Sequence, residues 1–338
     1  MDKKIFISIC IPSYNRPEDL KRLLESVDSK NDNVEIVIRE DKAPLRQEVR
    51  RVVDDFKRTT KYKVTYIENE INYGYDKNLR NVGKVAQGEW IIMMGDDDAF
   101  VPGSLDQYIE FLESHDNLGY VLRRYLKIYS DGKQEDYRYD NKNVFLKPGE
   151  DTIVELFRRS LFISGFTYRK NFFSGFDCDK YDGTLLFQLY ILAEICMSHP
   201  AAYCDIPITQ SYEGGTPYFG ISESEKKLYE SGKNTINNSL NFMMQVEMMA
   251  KGIDEELNTN MEDRIIKSYS KYSYGFLYEH RDEGLKQWNQ YVIGLKKLGF
   301  ASSPYFYLYY LLLLLFGKKN SQKIIRRIKK IIGKTPRL

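Results

Sequence analysis

An α/β fold built on a mostly parallel sheet, flanked by helices and followed by a helical region, is the class this sequence predicts. Three observations predict it. Apolar, β-branched runs alternate with helical patterns through the first hundred residues. The runs are continuously apolar, as in strands covered on both faces, rather than alternating. Each run ends in a polar cluster, at the strand ends where open α/β sheets bind ligands.

The elements follow in order. IFISICI at 5–11 reads as the first strand, ended by Pro12, and RPEDLKRLLESV as a helix with Leu20, Leu23, Leu24 and Val27 on one face. VEIVI at 34–38 is a second strand, 47–58 a helix, KVTYI at 63–67 a third strand, DKNLRNVGKVA a helix and GEWIIMM a fourth strand. Residues 119–129 and 133–139 flank Asp131-Gly132, a hairpin turn signal. The stretch 223–299 is helical in pattern, with one break expected near Gly252. We therefore expect an α/β domain over 1–215, a helical region over 216–300 and a tail over 301–338.

The tail is distinctive. It joins the apolar run PYFYLYYLLLLLF, shorter than the roughly 20 residues that span a bilayer, to a basic segment. There Ile324, Ile325, Ile328, Ile331 and Ile332 recur at helical spacing between Lys and Arg. Such a helix lies in an anionic membrane surface. Residues 318–338 hold nine Lys or Arg and no acid, and the rest of the chain has 41 basic against 48 acidic residues. That balance disfavours nucleic-acid binding by the body of the protein. Cys10, Cys178, Cys196 and Cys204 form no CxxC pair, and the N-terminus shows no long apolar stretch. We expect reduced thiols and a cytoplasmic setting, peripheral at the inner face of the cell membrane. Oligomeric state is left open.

The chemistry concentrates in GDDD, residues 95–98. Three adjacent carboxylates at a strand end repel one another and lose solvation, so they call for a cation. Mg²⁺ or Mn²⁺ would supply it, sharing carboxylate and phosphate oxygens. Asp96, Asp97 and Asp98 are the expected metal ligands; a solvated acidic turn is the plain structural alternative. No phosphate-cradling GxxxxGK[ST] or GxGxxG loop follows the first strand, which weakens a nucleotidyl- or phosphotransferase reading. A non-catalytic membrane scaffold is the remaining alternative.

SICIPSYNR, EIVIRED, the N-x-G and R-N pairs of NYGYDKNLRN, GEWI and GDDD together resemble family 2 glycosyltransferases of the GT-A fold. With FISGFTYRKNFF and YDGTLLFQLYILAE, the chain is most similar to the abequosyltransferase-like branch of bacterial surface-polysaccharide enzymes. The resemblance implies a metal-dependent, inverting transfer from a nucleotide-sugar, a UDP-sugar by preference, to a lipid-linked or polymeric glycan acceptor of capsule, O-antigen or exopolysaccharide synthesis. It places Pro12, Tyr14, Asn15, Glu40, Asp41 and Arg80 at the nucleotide, with Asp96 and Asp97 beside it. Gly95 stands where many members carry the first acid, so the individual metal ligands stay open. No E-D pair occurs where the family carries its general base; Asp182 is the candidate, and a helix cap before Thr184 is its structural alternative. Gln188 matches a recurrent residue of that branch. The glycine-rich, aromatic segment 208–220 suits a mobile lid, and equally a plain linker.

Overall fold

The computed structural model describes residues 4–332. The chain divides into two compact units, Met1–Leu156 with Ser160–Gly232, and Phe157–Arg159 with Lys233–Leu338.

The first unit is a ten-stranded sheet. Its strands are β1 Ile7–Ser13, β2 Val34–Glu40, β3 Lys63–Glu68, β4 Trp90–Met93, β5 Ala99–Phe100, β6 Tyr120–Ile128, β7 Gln134–Tyr137, β8 Val144–Leu146, β9 Phe166–Arg169 and β10 Ala201–Tyr212. The order across the sheet is β3-β2-β1-β4-β9-β6-β10-β5, with β7 added to β6 and β8 to β10. The first four positions are parallel throughout. Beyond them β9 is inserted antiparallel between β4 and β6, while β10 returns parallel to β6. Continuous burial along β1, β2 and β4 matches the unbroken apolar runs.

The helices of this unit are α1 Pro17–Glu25, α2 Arg46–Thr59, α3 Tyr75–Val85, α4 Ser104–Glu113, α5 Glu150–Phe157 and α6 Phe187–Ser198. Leu20, Leu23 and Leu24 of α1 and Val49 and Val53 of α2 join Ile9, Ile36, Trp90 and Ile92 in one buried cluster. At about 1.5–3 kcal/mol per buried aliphatic or aromatic side chain, this cluster is the main source of rigidity under the strand ends. The hairpin expected around Asp131-Gly132 is β6–β7, with Gly132 at φ 78°.

The second unit holds α7 Ile236–Leu257, α8 Glu262–Lys271, α9 Tyr274–Glu279, α10 Leu285–Lys297 and α11 Pro304–Ile332. Trp288 is fully buried there, donates to the Leu277 carbonyl at 2.8 Å and stacks on Tyr310 at 5.1 Å. Two expectations are corrected. Residues 223–235 are turns and irregular chain, since Glu225 is held in the first unit by hydrogen bonds described below. The break expected at Gly252 does not occur. Helix α7 runs on to Leu257 and stops at Asn258, which takes the left-handed φ of 54°. Asp254 gathers the chain that follows, accepting from the Met261 and Glu262 N–H groups at 2.8 Å each and from Thr259 Oγ1 at 2.6 Å. Gly317, at φ 65° and ψ 179°, interrupts α11 after the apolar run. Ile324 and Ile325 are half-buried; the side chains of Ile328, Ile331 and Ile332, and residues 333–338, lie outside the described residues.

Candidate functional site

The loops after the parallel strands meet through named hydrogen bonds. After β4, Gly95–Asp98 makes a tight turn closed by the Asp98 N–H on the Gly95 carbonyl at 3.2 Å. Asp96 is buried and faces the loop after β1. It accepts from the Tyr14 N–H at 2.8 Å and from Arg16 Nη1 at 2.8 Å. Asp98 is buried in the opposite direction, where the Ser164 hydroxyl donates to it. Ser164 also receives the Gly95 N–H at 2.7 Å, and its carbonyl accepts from the buried Arg123 at 2.8 Å. Asp97 is the least buried of the three, with 35% of its side chain exposed, 3.4 Å from Arg16 Nη2.

Desolvation raises the pKa of both Asp96 and Asp98, as expected for carboxylates withdrawn from water. For Asp96 the Arg16 charge opposes the rise. For Asp98 the charge of Asp97 adds to it, and the Ser164 and Ser211 hydroxyls oppose it.

No group of three or more His, Cys, Asp or Glu side chains fit to hold a metal occurs among the described residues. Asp96 is engaged by the Tyr14 N–H and by Arg16, whose guanidinium spans Asp96 and Asp97. Asp97 and Asp98 flank Gly95. A Cβ there would stand 3.0 Å from Asp97 Oδ1 and 3.4 Å from Asp98 Oδ2. Two carboxylates at a glycine without a side chain fit a Mg²⁺ or Mn²⁺ ion that takes its remaining ligands from water and phosphate.

Asn15 takes φ 60°, a left-handed conformation that asparagine tolerates better than most residues. Its side chain accepts from the Leu45 N–H at 3.0 Å and donates to the Tyr218 hydroxyl at 3.1 Å. Tyr218 packs edge-on against Tyr14 at 5.4 Å and under Arg16 at 5.0 Å, and Arg16 Nη2 donates to the Thr216 carbonyl at 2.7 Å. The segment after β10 thus closes over the loop after β1. Pro12 is half-buried at the end of β1.

The acidic pair after β2 splits. Glu40 is fully buried and accepts from the N–H groups of Lys42 at 3.1 Å and Ala43 at 2.5 Å, and from Arg46. It anchors its own loop, which corrects its expected place at the nucleotide. Asp41 accepts from Asn69 at 2.7 Å and from the Tyr73 and Gly74 N–H groups at 2.8 Å each. Burial raises its pKa and these donors oppose the rise. Asp41 thereby fixes the loop between β3 and α3.

Arg80 and Asp182, expected in separate roles, form an ion pair: Nη1 to Oδ1 at 2.7 Å and Nη2 to Oδ2 at 3.1 Å. Arg80 also donates to the Cys178 carbonyl and packs on Phe187 at 5.4 Å. Its guanidinium is engaged by these groups. Burial raises the Asp182 pKa and Arg80 opposes the rise.

Two buried acids were not singled out from the sequence. Asp76 in the first turn of α3 accepts from the N–H groups of Gly183, Leu185 and Phe187 at 2.8–2.9 Å. Those bonds hold the segment after Asp182, where Leu185 takes φ 66°. Glu225 accepts from Tyr75 at 2.7 Å, Gly220 at 2.9 Å and Ile221 at 3.3 Å. An acid at a helix N-terminus was the available signal for Asp76; Glu225 carries none in sequence. Gln188 is buried, accepts from the Tyr75 hydroxyl at 3.2 Å and donates to the Leu161 and Leu185 carbonyls.

The family model for glycosyl transferase family 2 matches residues 8–173, which cover β1 to β9 and the whole acidic turn. The chain carries a family 2 glycosyltransferase domain. Among curated proteins it is similar to an uncharacterized glycosyltransferase of Haemophilus influenzae, 32% identical over 117 residues, 34% of this chain and 37% of the relative. It is also similar to abequosyltransferase RfbV of Salmonella typhimurium, 31% identical over 113 residues, 32% and 33% of the two chains. The matches thus span about a third of these relatives' lengths. In structure the chain resembles S. aureus TarS 1–349 in complex with UDP-GlcNAc, with a TM-score of 0.60 at 16% identity, covering 88% of this chain and 82% of that one. A second structure of S. aureus TarS 1–349 gives a TM-score of 0.57 at 14% identity, over 87% and 81%. At these identities the likeness is one of fold, and TarS shares the GT-A arrangement.

Proposed function

We propose that this protein transfers a sugar, with inversion, from a nucleotide-sugar donor to a lipid-linked or polymeric glycan acceptor in bacterial capsule, O-antigen or exopolysaccharide synthesis. A UDP-sugar is the favoured donor; the UDP-GlcNAc complex of the structural neighbour TarS supports that choice. The observation that carries the reading is the convergence, within one family 2 domain, of the loop after β1 on Asp96 and of the β3–α3 loop on Asp41. Tyr14 supplies a ring for the base, Asn15 and the remaining lone pair of Asp41 supply hydrogen-bond partners for base and ribose, and Pro12 shapes the floor.

Asp97 and Asp98 would hold a divalent cation, Mn²⁺ or Mg²⁺, whose charge would offset that of the leaving diphosphate. Arg16 offers a second positive charge at the same place, being paired to Asp96 and Asp97. Asp182 is the general base in this account. The Arg80 charge favours its ionised form, and its remaining lone pairs can accept the acceptor hydroxyl's proton.

The second unit supports attachment to a membrane surface. Leu308, Leu311 and Leu315 recur at helical spacing and are 58%, 50% and 73% exposed, ahead of the basic segment. No helix among the described residues is long and apolar enough to cross a membrane. Peripheral attachment at the cytoplasmic leaflet would bring a lipid-linked acceptor to the enzyme.

A screen of nucleotide sugars for thermal stabilisation in the presence and absence of Mn²⁺ tests the donor reading. A donor at 100 times its dissociation constant adds about 2.7 kcal/mol. If no nucleotide or nucleotide sugar stabilises the protein with or without Mn²⁺, the reading fails.

A further inference from the structure

Asp98, in the turn between β4 and β5, meets a face of the sheet that continues beyond it across β10, β6 and β7. Register fixes which side chains share the face. Thr209 and Ser211 of β10 stand on it, Thr209 donating to the Ser164 carbonyl at 2.9 Å and Ser211 reaching Asp98. Strand β6 lies parallel to β10 with Tyr125 opposite Thr209 and Lys127 opposite Ser211. Strand β7 lies antiparallel to β6 with Tyr137 opposite Tyr125 and Glu135 opposite Lys127. Residues directly opposite across a strand pair point to one face.

The rings confirm the register. Tyr125 stacks on Tyr137 at 4.8 Å with 15° between planes, and Phe162 lies against Tyr125 at 4.5 Å. Lys127 Nζ sits 5.3 Å from the Tyr129 ring centroid, and the Tyr129 hydroxyl donates to Glu135. Every one of these side chains is half-buried. A strip of aromatic rings with polar groups along its edge, leading away from Asp98, has the mixed character of a small-molecule site. Its one cation and one anion oppose each other across the strands, so it offers no net charge for a polyanion.

A pyranose ring presents an apolar C–H face and a rim of hydroxyls. We propose that Tyr125, Lys127, Glu135, Tyr137 and Phe162 form the acceptor subsite, binding one neutral pyranose ring of the acceptor glycan with its C–H face toward the aromatic strip and its hydroxyls toward Lys127 and Glu135. The subsite rests on the transferase reading of the acidic turn, which it places on the acceptor side of Asp98.

Saturation-transfer NMR on the full chain tests it, with methyl glycosides of glucose, galactose, mannose, rhamnose, N-acetylglucosamine and N-acetylgalactosamine as probes. At least one glycoside is expected to receive saturation at its ring C–H protons from the wild type. The effect falls about three- to tenfold in Tyr137→Ala and persists in Tyr137→Phe, since the ring face and not the hydroxyl carries the contact. Absence of transfer to every probe, or equal transfer in Tyr137→Ala, overturns the subsite. Should Tyr137→Ala prove unfolded, Tyr137→Leu replaces it, keeping apolar area without a flat face. Stabilisation by UDP with Mn²⁺ is measured on the same samples. UDP binding without glycoside binding defeats the subsite alone, and Tyr137-dependent glycoside binding without UDP binding defeats the donor reading while the glycan site stands.

Discussion

Replacing Asp182 by Asn separates its two assigned roles. The substitution keeps the volume and one acceptor oxygen but removes the charge that faces Arg80. Arg80 is 5% exposed and Asp182 17% exposed at the side chain, so the pair is screened by little water. Breaking a fully buried pair costs about 3–5 kcal/mol, and a hydrogen bond to a charged group contributes about 1.5–3 kcal/mol. With one partner reaching solvent and the Cys178 carbonyl still accepting from Arg80, we expect a loss of about 2–3 kcal/mol. For a unit of this size each kcal/mol lowers Tm by about 2–4 °C, so calorimetry should show a fall of roughly 4–12 °C. Arg80→Ala combined with Asp182→Ala should be less destabilising than the two single changes added together, because neither charge is then left alone. As general base, Asp182 should in addition contribute about 10²–10⁴ in kcat. An unchanged Tm in Asp182→Asn, or additive single and double variants, would refute the energetic role of the pair; unchanged kcat would remove Asp182 as the base.

Three further outcomes are expected. Burial pushes the Asp76 pKa to about 7, with the Phe187 and Leu185 N–H groups opposing the rise. The folded chain then holds a proton that the unfolded chain releases near pH 4, so this group lowers stability as pH rises from about 4 to 7, by at most about 1.4 kcal/mol per unit. The decline in Tm between pH 5 and pH 7.5 should be shallower in Asp76→Asn than in the wild type. Gly183 has φ 94°, and a Cβ there would stand 2.7 Å from the Ser224 carbonyl oxygen, a backbone atom with no room to move. Gly183→Ala should therefore cost about 1–3 kcal/mol in chemical denaturation and loosen the Asp182 segment. Replacing Leu308, Leu311 and Leu315 together by Glu should abolish sedimentation with phosphatidylserine vesicles while leaving the far-UV circular dichroism unchanged, and persistent binding would argue against the tail as the membrane contact.

The parallel half of the sheet was legible in the sequence because both faces of each strand are covered, which writes continuous apolar runs such as IFISICI and GEWIIMM. The β6–β7 hairpin was legible through Asp131-Gly132. The insertion of β9 between β4 and β6 was not, since FTYR is short and its pairing depends on partners far away in the chain. The same limit applied at the site. Motif spacing grouped Asp96, Asp97 and Asp98, and Glu40 with Asp41, but it could not say which carboxylate each local environment engages. Arg16 and the Tyr14 N–H engage Asp96, and Arg46 with two backbone donors holds Glu40. The Arg80–Asp182 pair joins residues 102 positions apart, a contact that no local pattern announces.

The central claim is that Asp97 and Asp98 make a divalent-cation site for cleavage of a nucleotide-sugar donor. Measuring release of UDP from a UDP-sugar tests it most directly, with Mn²⁺, with EDTA, and in Asp97→Ala and Asp98→Ala variants that retain the wild-type circular dichroism. The account predicts UDP release with Mn²⁺ that EDTA abolishes and that each variant reduces by at least about a hundredfold, in the range typical of losing charge stabilisation at a leaving group. UDP release that proceeds unchanged in EDTA, or at wild-type rate in both variants, would contradict it.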